Sequence, residues 1–167
     1  LHLCMILDVS GSMDAPDKYP LLLEAIPNLV GALSDDDHLT IVLFSTGGEV
    51  AVSDQVLNMR NGIDALKARI GASGVLFGNR TMLSTGIAQA ITAIKEHRRR
   101  SSGAFERAYM LTDGQLHDPE ESKRIGAQLR TLEVETHSYG FGKDFASDTM
   151  RAILNGIPGG SLKTILN

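Results

Sequence analysis

The chain has 167 residues, 43% of them hydrophobic, with 20 acidic and 16 basic side chains and a formal net charge of −4. That length fits one domain, residues 1–167, with a full two- or three-layer core, and the ordinary apolar and charged fractions exclude disorder, collagen and coiled coil. The acidic balance argues against a nucleic-acid partner, and one cysteine, Cys4, excludes an intrachain disulfide and a Cys-rich zinc site. No apolar run reaches the ~20 residues needed to insert through a membrane. No leader of the secretory kind is visible, and Leu1 already reads as strand, so the chain is expected to be a fragment of a longer protein with further domains. The compartment is not written in the residues; the lack of disulfides leans it towards a reducing cytoplasm.

Leu1 to Leu7 (LHLCMIL) is almost continuously apolar, the pattern of a strand buried on both faces of a parallel sheet. Leu22, Ala25, Ile26, Leu29, Val30 and Leu33 recur at helical spacing, with Pro27 inside the pattern, where it costs a hydrogen bond or kinks the helix. Leu39 to Phe44 is a second strand. The turn signal Gly47-Gly48 then joins it to a short third strand, Glu49 to Val52, as an antiparallel hairpin at a sheet edge. Ile63, Leu66 and Ile70 mark a short helix, and Gly71 to Arg80 is a polar loop. Leu83, Ile87, Ile91 and Ile94 form the stripe of a long helix ending in the charged run Lys95 to Arg100. After the loop Ser101-Ser102-Gly103 come a strand from Arg107 to Thr112 and a helix opened by Pro119-Glu120-Glu121. A strand from Val134 to Tyr139, a helix carrying Met150, Ile153 and Leu154, and a last strand from Ser161 to Leu166 complete the chain.

Strands alternating with helices imply an α/β fold: a three-layer, Rossmann-like open sheet, mostly parallel, with one short antiparallel edge strand and helices on both faces. In such sheets ligands bind beyond the carboxyl ends of the strands. Two of those ends carry polar residues of interest. Asp8-Val9-Ser10-Gly11-Ser12 follows the first strand, and residues 8, 10 and 12 of an extended run point the same way. Thr112-Asp113-Gly114 follows Tyr109-Met110-Leu111. Two carboxylates at neighbouring strand ends repel, and a divalent cation is the simplest remedy. The donors are hard oxygens, which suits Mg²⁺, Mn²⁺ or Ca²⁺ and disfavours zinc.

Asp8-Val9-Ser10-Gly11-Ser12 resembles the opening of the metal-ion-dependent adhesion site (MIDAS) of von Willebrand factor A domains, whose pattern is D-x-S-x-S, a later threonine, and an aspartate in a strand-end T-D-G. Thr81, followed by Thr85-Gly86-Ile87, and Leu111-Thr112-Asp113-Gly114 match the later elements, and Tyr139-Gly140-Phe141-Gly142 and Gly159-Gly160 are similar to the family's fifth strand exit and final turn. The resemblance implies that the hydroxyls of Ser10, Ser12 and Thr81 ligate Mg²⁺ or Mn²⁺, with Ca²⁺ less suited. It also implies that Asp8 and Asp113 act directly or through water, and that a carboxylate from a protein partner fills the open position. The expected function is thus a metal-dependent protein–protein interaction module. One departure is visible: the family has Gly-Gly directly before the threonine, whereas here the run is Gly78-Asn79-Arg80-Thr81. Arg80 is expected either to narrow the approach or to offer a guanidinium to the partner's carboxylate.

Blander readings stand beside this one. Thr81 has a competing role as N-cap of the long helix. His117 and Asp118 read as solvated loop positions, His97 as a cation suited to a helix C-terminus, His97 to Arg100 as a solvated helix end, His137 as a strand residue without metal-ligand company, and Cys4 as a buried small hydrophobe. Catalysis has no positive signal. A metal-dependent phosphohydrolase of the aspartate-nucleophile type needs a second acid two residues after Asp8, where Ser10 stands. Gly140-Phe141-Gly142-Lys143 lacks the spacing of a phosphate loop, and no G-x-S-x-G elbow is present. A Mg²⁺-dependent phosphohydrolase and a scaffold with a vestigial metal site remain the alternatives.

Overall fold

Every residue of β1 (His2–Asp8) is buried, which places this strand at the centre of the sheet. It pairs in parallel with β2 (His38–Phe44) on one side and with β4 (Glu106–Thr112) on the other. The computed structural model describes residues 1–101, 103, 105–113, 115–141 and 146–165. Of the positions named above, Ser102, Gly114, Gly142, Lys143 and Leu166 lie outside the described residues. Among the described residues six strands run in the order β3-β2-β1-β4-β5-β6. β5 (Glu135–Phe141) and β6 (Ser161–Ile165) continue the parallel pairing. β3 (Gly48–Gln55) is the antiparallel edge strand, as expected, but longer than the four residues anticipated. Its register shifts where Val52 faces Ile41 and Val50 faces Val42, leaving Ala51 as the extra, buried residue of a bulge.

Alternation along β1 builds two cores. Leu3, Met5 and Leu7 pack on one face with α1 (Tyr19–Ala32), α2 (Val56–Asn61) and α3 (Ile63–Gly71), through Leu22, Ile26, Val30, Met59, Leu66 and Ile70. Cys4 and Ile6 pack on the other with α4 (Leu83–Arg100), α5 (Pro119–Thr131) and α6 (Ser147–Leu154). α2 has only six residues, too few to show a helical period, and the sequence reading missed it. Pro27 sits inside α1 without ending it. Cys4 is a buried small hydrophobe, as expected, and burial pushes its thiol up to about 12. Gly86 lets α4 lie close on the sheet, because a Cβ there would stand 2.9 Å from Phe44 Cδ1 and 3.0 Å from Ile6 Cγ2. Among the described residues no helix is long and apolar enough to cross a membrane.

The far end of the sheet holds a cluster the sequence did not reveal. His2 and His38, at the starts of β1 and β2, stack with His97 from the last turns of α4, with ring centroids 4.1 Å (His2–His97), 4.7 Å (His38–His97) and 5.1 Å (His2–His38) apart. His2 Nε2 meets Thr40 Oγ1 at 2.9 Å, and Thr40 Oγ1 meets Ser53 Oγ at 2.8 Å. Burial holds the His97 imidazole below its usual range, although Glu106 pulls the other way. The arginines beside it are exposed, as expected of a solvated helix end, and carry ion pairs. Arg98 pairs with buried Glu106, and Arg99 and Arg100 pair with Glu96.

Burial, reinforced by His97 and His38, lowers His2 from 6.5 to about 3. A folded-state value below the unfolded one means that the stabilisation is complete above about pH 6.5 and is lost as pH falls towards 3. The expected cost from His2 is about 2 kcal/mol at pH 5. Thermal melts from pH 7.5 to 5 check it: His2→Phe, which stacks but does not titrate, is expected to flatten the acid limb of the Tm profile.

Candidate metal site

The strand order reverses between β1 and β4, because β2 lies to one side of β1 and β4 to the other. Asp8 ends β1 and Asp113 directly follows β4, so both carboxylates reach that switch point, and both are buried. Asp8 is held on both oxygens: the Ser10 backbone N–H donates to Oδ1 at 2.9 Å, and Thr112 Oγ1 donates to Oδ2 at 2.6 Å. Burial raises the Asp8 carboxyl above its ordinary value and Asp113 adds to the rise, while the hydrogen bonds from Ser10 and Thr112 oppose it.

Ser10 is extended (φ −62°, ψ 169°), and a single 3-10 turn, Gly11–Met13, follows, anchored by buried Met13. The turn brings the hydroxyls together. Ser10 Oγ lies 3.2 Å from Ser12 Oγ, which donates to Asp113 Oδ1 at 2.9 Å. A hydroxyl that gives its proton to a carboxylate keeps its lone pairs for a cation.

The Thr81 loop is tied to this turn by backbone pairing. Phe77 N–H donates to Val9 O at 2.6 Å and Gly11 N–H to Gly78 O at 2.7 Å, with a bridge between Ser10 and Gly78. A Cβ at residue 78 would stand 2.3 Å from Ser45 Oγ and 2.7 Å from Thr46 Oγ1, so any larger residue there requires those side chains to move. Asn79 and Arg80 are exposed. Ser10, Ser12 and Thr81 line one cavity of about 280 Å³ with Gly11, Gly78, Asn79, Gln115 and His117.

Two expectations are corrected. Thr81 does not cap α4, which starts after Met82 without a side-chain cap of its own. The cap comes from Asp118, whose Oδ1 and Oδ2 accept the N–H groups of Leu83 and Ser84 at 3.1 and 3.0 Å. His117 is exposed but not a free loop residue: its Nδ1 accepts the Thr81 N–H at 3.0 Å, and its own N–H donates to Thr81 O at 3.0 Å. The sequence also gave no sign of Lys18, whose Nζ lies 2.6 Å from Asp113 Oδ2 and 3.1 Å from Ser12 O. His137 contacts Glu135 and Ser161, away from the site.

The family model of the von Willebrand factor type A domain matches residues 2–163. The chain belongs to this family. An uncharacterized protein of Synechocystis sp. is 28% identical over 158 residues, which is 92% of this chain and 35% of that protein. A von Willebrand factor type A structure from Catenulispora acidiphila superposes with a TM-score of 0.77 at 20% identity, covering 99% of this chain and 38% of that one. Proximal thread matrix protein 1 of the mussel byssus, solved with a zinc-occupied MIDAS motif, superposes with a TM-score of 0.72 at 16% identity, covering 98% of this chain and 41% of that one. At these identities the two structures speak for the fold alone. The von Willebrand factor A chain thus spans between a third and a half of each of these relatives.

The Asp118 cap gives the site's scaffold a measurable test. Asp118→Ala leaves the Leu83 and Ser84 N–H groups without their acceptor and is expected to cost about 1–2 kcal/mol in urea unfolding.

Proposed function

We propose that the chain is a divalent-cation-dependent protein-binding domain. In this reading the hydroxyls of Ser10, Ser12 and Thr81 ligate Mg²⁺ or Mn²⁺, and Asp8 and Asp113 act directly or through water. The observation that carries it is the convergence of three hydroxyl-bearing residues on one cavity, with two buried carboxylates at the switch point behind them. The donors fit such an ion: hard oxygens, two of them from buried carboxyl groups. Among the described residues no group of three His, Cys, Asp or Glu side chains is arranged to hold a metal, so the hydroxyls are essential to the site. A divalent cation there supplies an electrophilic position for an anionic oxygen. The protein's own residues leave that position to an outside ligand, which supports a carboxylate of a partner protein as the natural occupant. The zinc-occupied MIDAS of the mussel protein supports the metal and adds Zn²⁺ to the ions worth testing. Domains of this family are generally interaction modules, and the reading assigns no catalysis to this one.

Isothermal titration with Mg²⁺, Mn²⁺, Ca²⁺ and Zn²⁺ tests the site directly. The chain is expected to bind Mn²⁺ and Mg²⁺, with Ser10→Ala and Thr81→Ala each losing at least the about 10- to 100-fold that even outer-shell partners contribute, at unchanged circular dichroism. Wild-type affinities retained by both variants would reject the ligand set.

A further inference from the structure

Lys18 is the last residue before α1, and its carbonyl accepts the Leu22 N–H at 3.0 Å. Its side chain turns back into the site instead of following the helix outward. The ammonium ends a chain of contacts running from Ser10 Oγ to Ser12 Oγ, to Asp113 Oδ1, and from Asp113 Oδ2 to Lys18 Nζ. The Asp113 side chain is 1% exposed and that of Lys18 26%. An ion pair open to water contributes little, whereas a carboxylate buried beside a second carboxylate is costly without a counter-charge. Lys18 supplies that charge within the set of residues proposed to ligate the ion.

We propose that Lys18 is a built-in counter-cation that sets the metal affinity of the site. Its ammonium neutralises Asp113 when no ion is bound and repels the ion that competes for the same carboxylate, so it stabilises the unloaded domain and weakens loading. The idea rests on the metal-site reading above. A mere structural strut behaves differently: its removal lowers stability equally with and without metal, and leaves affinity the same or weaker.

The test is Mn²⁺ titration calorimetry, with thermal melts in EDTA and in saturating Mn²⁺, on the wild type, Lys18→Met, Lys18→Gln and Lys18→Arg. Removing one positive charge from beside a dication is expected to tighten Mn²⁺ binding about tenfold in Lys18→Met, while Lys18→Arg stays near wild type. Lys18→Met is expected to melt below the wild type in EDTA, with the gap closing in Mn²⁺. Lys18→Gln drops the charge but keeps a hydrogen-bond donor, and decides the matter if the Met variant does not fold. Equal or weaker Mn²⁺ binding by the neutral variants, with a wild type that binds, overturns the role of Lys18 and leaves the site reading intact. A silent wild type with a binding Lys18→Met supports the role in its strongest form, and no binding by either overturns both.

Discussion

Two carboxylates buried side by side at the carboxyl ends of adjacent strands set the terms for this end of the molecule. Both are buried, and burial raises the Asp8 carboxyl above its ordinary value. The surroundings answer with donors: a backbone N–H and a threonine hydroxyl on Asp8, a serine hydroxyl and an ammonium on Asp113. The β1–turn segment and the approach to α1 are thereby committed to one small volume, because Ser10, Ser12 and Lys18 all come from within ten residues of Asp8.

Legibility from sequence followed how local the responsible forces were. The nearly continuous apolar run of β1, the helical stripe of α4 and the hairpin at Gly47-Gly48 state their own structure, and the layered sheet follows from their order. Asp8, Ser10 and Ser12 were readable for the same reason: their juxtaposition needs only one strand end and one turn. Lys18, His117 and Asp118 act on partners 95, 36 and 35 residues away in the chain, and no periodicity encodes such pairings. The histidine stack joins two strand starts to the end of a helix, and each of its members looks ordinary alone. α2 escaped notice because six residues carry less than two turns of pattern.

α4 is what carries order from one end of the sheet to the other. Asp118 satisfies its first N–H groups, Gly86 seats it against Ile6 and Phe44, and Arg98 fixes its last turn through Glu106 Oε1 at 2.8 Å and Leu132 O at 2.6 Å. A helix fastened at both ends holds the two residues just before it in place over the sheet. That residue pair is Thr81-Met82, and Met82 N–H is itself held by Ser45 O at 2.8 Å.

The departure from the family's glycine pair then has a physical account. The loop before Thr81 passes close to the side chains of Ser45 and Thr46 at Gly78, where a Cβ would crowd their hydroxyls. Asn79 and Arg80 come after that approach and point their bulk into solvent, while Thr81 is positioned from elsewhere, by His117 on its N–H and by the capped start of α4. A second glycine is unnecessary where the threonine is held by its neighbours and not by the flexibility of the residues leading to it.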